Sequence, residues 1–99
     1  MDLAYKFNDK NLKPLIELGK RGHYPLFQND WLNEVREKHL SKTEQNKVKK
    51  LINQLSKHKT IERKKTLLFS LDKNEREIFI KAFLQVVEGK LLNEKMPIQ

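Results

Sequence analysis

The stretch Asp72 to Leu92, DKNEREIFIKAFLQVVEGKLL, decides the fold. Asp72 offers an acceptor to the first free backbone N–H groups, and Glu75 places an acid in the first turn, where the helix dipole favours it. Behind them Ile78, Phe79, Ile80, Ala82, Phe83, Leu84, Val86, Val87 and Leu91 cover about two-thirds of a helical wheel. Glu77, Lys81 and Glu88 are left as a narrow polar strip. A helix apolar on most of its sides has to be enclosed by others. The expectation is an all-α fold, a compact bundle of four or five helices with the Lys73 to Leu92 helix at its centre.

Working outward, the neighbouring helices announce themselves by their starts and stripes. Ser41 and Glu44 form the S-x-x-E capping pattern, and Val48, Leu51, Ile52 and Leu55 follow at i, i+3, i+4 and i+7. On that wheel Asn46, Lys50, Asn53 and Lys57 fall opposite the apolar stripe, with Lys47 and Lys49 flanking, so the basic side is the solvent side. Leu12, Leu15 and Ile16 predict a helix from about Asn11 to Leu18; Pro14 puts its N-cap between Asn11 and Lys13, and Gly19 is expected to end it. Trp31, Leu32, Val35 and His39 share a stripe that predicts an inward-facing helix over 31–39, capped by Asn29 or Asp30. Thr60 is expected to cap a further helix, IERKKTLLF, in which Ile61 and Leu68 share a face with Lys64 and Lys65, a poor amphipathic pattern.

Ninety-nine residues make a single domain with a core of its own; residues 1–10 and 93–99 are candidates for flexible ends. Three glycines and three prolines suit helices better than a turn-rich sandwich. With no cysteine, disulfides and thiolate zinc sites are excluded. No apolar run approaches the roughly 18 residues of a membrane span, and Met1 to Lys10 lacks the apolar core of a signal peptide, so the expected location is cytoplasmic. The Ser41 to Lys57 helix is amphipathic and basic, but its apolar face has no aromatic residue to sit in a membrane interface.

The charge is confined. Ser41 to Lys65 hold nine Lys or Arg against two acids and so carry +7 of the net +8. Such a concentration points to a polyanionic partner. The candidate nucleic-acid-binding residues are Lys47, Lys49, Lys50, Lys57, Lys59, Arg63, Lys64 and Lys65. A second set, Lys20, Arg21, His23 and Tyr24, lies in the loop KRGHYPLFQN, where cations interleaved with rings would suit unpaired bases. Packing of that loop onto the core explains Tyr24, Leu26 and Phe27 more economically. Lysines outnumber arginines seventeen to four. Point charges of this kind hold a backbone and read few bases, which favours RNA or a phosphate backbone over sequence-specific DNA.

A helix-turn-helix reading of the last two helices fails because the second offers acids and core residues to a groove. The three histidines match no metal or nucleophile spacing, so no enzyme, cofactor or metal is expected. The competing expectation is a protein-interaction module, an adaptor or inhibitor, docking on an acidic partner through its basic face or the Trp31 and Phe27 region.

Overall fold

The computed structural model describes residues 4–35 and 39–95, and every regular element in them is helical. A short 3-10 helix, Ala4–Asn8, precedes α1 (Lys13–Lys20), α2 (Asn29–Glu34), α3 (Lys42–Ser56), α4 (Ile61–Ser70) and α5 (Lys73–Lys95). The Asp72 carboxylate accepts from the Glu75 N–H at 2.8 Å, so α5 starts where its capping residues place it. At about 1.5 Å per residue, 23 residues make a rod of about 34 Å, most of the molecule's 46 Å long axis. Against this rod pack α1, α2 and α3, while the 3-10 helix bridges α1 and α3.

Burial on α5 follows the apolar count. Ile78, Phe79 and Ile80 are all buried in succession, then Ala82, Phe83, Val86 and Val87, so the helix is covered on more than one side. Beyond them Glu88, Gly89 and Leu92 emerge into solvent. Phe83 is the centre of an aromatic cluster. It meets Phe27 edge-on at 5.0 Å, Phe7 at 5.7 Å, Tyr24 at 6.2 Å and Phe79 at 6.2 Å between ring centroids. Edge-to-face pairs of this kind contribute about 0.5–1.5 kcal/mol each beyond the area they bury. The loop after α1 therefore packs inward, with Leu26 and Phe27 buried.

Of the N-terminal segment, residues 4–10 are described, and they are anchored to this core; residues 1–3 lie outside the described residues. Phe7 is fully buried, and the Asn11 side-chain amide donates to the Ser56 carbonyl at 2.6 Å, tying the segment to the end of α3. Residues 96–99 of the other expected flexible end lie outside the described residues, and 93–95 continue α5.

The capping box at Ser41 and Glu44 forms in both directions, and Val48, Leu51, Ile52 and Leu55 are the buried residues of α3. Thr60 caps α4 by accepting from the Arg63 N–H. The N-cap of α1 is Leu12, within the expected window. Gly19, however, does not end that helix. It lies inside α1, and Gly22, at φ 85°, takes the left-handed position beyond Arg21. The His23 N–H reaches back to the Leu18 carbonyl at 2.9 Å and the Gly22 N–H to Gly19 at 3.0 Å, the two bonds of a Schellman ending. α2 is shorter than its stripe predicts. Its N-cap is Gln28 with no side-chain bond, the backbone becomes extended at Val35, and His39 is exposed rather than inward; residues 36–38 lie outside the described residues.

Gly19 has a packing role in place of a terminating one. A Cβ there would lie 2.9 Å from Val87 Cγ2, 3.2 Å from Tyr24 and 3.3 Å from Phe83, so the missing side chain is what lets α1 approach α5. Gly89, also helical, has nothing within 4 Å of such an atom. Gly19→Ala should destabilise the protein by roughly 1–2 kcal/mol, because overpacking against a stiff valine outweighs the gain in helix propensity. Gly89→Ala should stabilise it by about 0.5–1 kcal/mol. Urea unfolding of the two variants beside the parent checks both signs; equal shifts would contradict the packing argument.

Candidate functional site

The solvent side of α3 is built from the same periodicity as its buried side. With Val48, Leu51, Ile52 and Leu55 turned inward, Asn46, Lys47, Lys50, Asn53 and Lys57 are all exposed and Lys49 is half-buried. The chain then turns through Lys57, His58 and Lys59 to the Thr60 cap. Lys57, His58, Lys59, Thr60 and Arg63 line one open depression at the α3–α4 junction. Lys57 belongs to both surfaces, which makes them continuous. Lys47, Lys50, Lys57, Lys59 and Arg63 are exposed, and among the described residues none of them is engaged in an ion pair.

Lys64 is the exception within the basic stretch. A candidate phosphate-binding cation that shares a face with Ile61, Leu68 and Lys65 in the sequence pattern, it is 2 % exposed and faces inward with Leu68, while Ile61 is exposed. The only apolar groups on α4 that follow Lys64 at i+3 and i+4 are Leu67 and Leu68, so the long lysine stem completes the inner stripe of a helix with too few apolar residues. Lys64 makes no hydrogen bond or ion pair with a described residue, and no buried side-chain nitrogen or oxygen among the described residues lacks a partner. The ammonium therefore keeps an edge to water. Burial holds its pKa below the ordinary lysine value, with the Asp9 carboxylate partly opposing the shift. Lys65, the next residue, is half-buried.

The second candidate set separates into its members. Lys20 is paired with Glu17 at 3.0 Å, and that lysine is the main reason the Glu17 carboxyl lies below its usual range. Arg21 and His23 are exposed at the end of α1. The Tyr24 ring lies half-buried, stacked on Phe27 at 6.3 Å, so it belongs to the aromatic core rather than to an open stacking surface. Phe27 and Trp31 are buried as well, which removes them as exposed anchors for a protein partner. The exposed ring in that neighbourhood is Phe69, at 53 %, set edge-on to Trp31 at 5.0 Å; the Arg76 guanidinium lies 4.5 Å over the indole.

Two residues of the surface escaped the sequence reading. Lys6 Nζ donates to Asn53 Oδ1 at 3.4 Å, which brings a cation from the N-terminal segment onto the solvent side of α3. Tyr5 beside it is 60 % exposed, with Lys6 Nζ 5.9 Å from the ring centroid. The alternation of Leu3, Tyr5 and Phe7 was the available signal, since Phe7 inward implies Lys6 elsewhere. Among the described residues no three His, Asp or Glu side chains gather to hold a metal ion, and no helix is long and apolar enough to cross a membrane. No protein-family model, curated protein or solved structure matches this chain.

The Lys64 burial has a measurable sign. A lysine whose folded pKa is lowered binds fewer protons when folded than when unfolded, so its charge costs stability at neutral pH and the cost fades as pH rises toward the ordinary value of 10.5. Lys64→Met, which keeps the stem and removes the charge, should leave stability at pH 7 equal or raised. It should also remove part of the increase toward pH 10. Urea midpoints at both pH values, variant against parent, test this; a large loss at pH 7 would contradict it.

Proposed function

We propose that this protein is a noncatalytic, cytoplasmic nucleic-acid-binding protein that grips the phosphate backbone with the solvent side of α3 and the α3–α4 junction, with RNA favoured over sequence-specific DNA. The observation that carries the reading is that Lys47, Lys50, Lys57, Lys59 and Arg63 are all exposed and unpaired among the described residues. Cations without local acids attract counterions, and release of those counterions to a polyphosphate is the main source of backbone affinity. Four of the five are lysines, whose point charges suit phosphates rather than base edges. Asn46 and Asn53, on the same side of α3, add amide groups within reach of sugars and bases. Lys64 has no part in this surface, and Lys20 and Tyr24 contribute to the fold instead.

A second reading, docking on an acidic partner protein, draws on the exposed Phe69 and on Arg76, both packed against the buried Trp31, since aromatic and arginine side chains are the usual anchors of protein interfaces. It differs from the first in place and in salt response. Docking there should be weakened by Phe69→Ala and only mildly by salt, whereas backbone binding should ignore that substitution.

The test of the first reading is fluorescence anisotropy of labelled RNA between 50 and 200 mM salt. Five phosphate contacts predict a log–log salt slope of about −3.5 on a single strand. Joint substitution of Lys50, Lys57, Lys59 and Arg63 by Glu should abolish binding without changing the circular dichroism or the melting temperature. Binding that survives the reversal, or that ignores salt, would end this assignment.

A further inference from the structure

The N-terminal segment adds to the basic surface a feature that the phosphate-binding reading alone does not use. Phe7 is fully buried against Phe79 and Phe83, so the backbone of Ala4–Asn8 is pinned to the core. Tyr5, two residues earlier, is turned out to 60 % exposure. Between them Lys6 bonds to Asn53. On α3 the residues three before and four after Asn53 are Lys50 and Lys57, neighbours on one helix face. The exposed ring is thus carried on an anchored segment at the margin of the unpaired cations.

We infer that Tyr5 is a base-stacking residue and that the preferred ligand is single-stranded nucleic acid; the inference rests on the function proposed above. A large aromatic ring left in water has a cost that its neighbour Phe7 avoids by burial. Stacking on an unpaired base covers it, while Lys6, Lys50 and Lys57 meet the adjoining phosphates, the combination used wherever single strands are bound without strict sequence choice. A duplex cannot satisfy this arrangement, because its base faces are already stacked on one another. Anchoring through Phe7 limits the freedom the ring would lose on binding. The same exposed ring on a freely moving tail would bring less.

The experiment compares a labelled oligouridylate with a blunt RNA duplex at 50 mM salt, using the parent protein, Tyr5→Ala and Tyr5→Phe. The parent should prefer the single strand. Tyr5→Ala should weaken single-strand binding roughly five- to 150-fold, the loss expected for one stacked base, and leave duplex binding unchanged. Tyr5→Phe, which keeps the ring, should bind like the parent. Equal single-strand affinity of the parent and Tyr5→Ala would overturn the inference while leaving backbone binding intact, as would an equal loss in Tyr5→Phe. Failure of the parent to bind either RNA would overturn the proposed function and this inference together. Because Tyr5 is exposed, the variants should melt at the parent's temperature, which separates lost binding from lost structure.

Discussion

The enclosure of Phe83 by four other rings is the constraint on which the rest of the structure depends. Phe7 comes from the N-terminal segment, Tyr24 and Phe27 from the loop after α1, and Phe79 from α5 itself. Those rings bring together three stretches of chain separated by some twenty to fifty residues, so satisfying one aromatic side chain positions the 3-10 helix, α1 and its loop around the central helix. Gly19 belongs to the same constraint, since any side chain there would strike Val87 and hold α1 away from Phe83.

The charged surface is a consequence of that interior. α3 turns its four aliphatic residues toward α5, and every lysine on its other side is then exposed or half-exposed whether or not a partner exists. What packing does not require is the lack of acids there. Glu44 is occupied by the capping box, where the Ser41 N–H lowers its pKa, and Glu62 is the only other acid in the basic stretch. An i, i+4 lattice of Glu and Lys would have served the helix as well and left the surface neutral. α4 shows the opposite compromise. With Lys64 on its buried side and Phe69 on its exposed side, it is the helix whose sequence agrees least with its position.

What could be read from the sequence divides along the range of the interaction responsible. The capping box and stripe of α3, the Thr60 cap, the start of α5 and its enclosure depend on residues within a few positions of one another, and all are where the pattern places them. The inward packing of Tyr24, Leu26 and Phe27 followed from the cost of leaving three large apolar groups in a polar loop. The misreadings are non-local. Gly19 resembles a helix terminator until α5 is known to lie against it, the poor stripe of α4 does not say whether Lys64 or Ile61 turns inward, and nothing near Lys6 in the chain indicates Asn53. The exposure of Tyr5 could have been found only by first burying Phe7.

The central claim is that one surface, running from Tyr5 and Lys6 across the outer side of α3 to the junction at Arg63, meets nucleic acid. The most direct test is a titration of the 15N-labelled protein with an oligouridylate, followed amide by amide. The account predicts shifts at Tyr5 and Lys6, along Lys47, Lys50, Asn53 and Lys57, and from Lys59 to Arg63, with Trp31, Phe69 and Arg76 unmoved. Shifts gathered at Trp31, Phe69 and Arg76, or none with the RNA in excess, would contradict it.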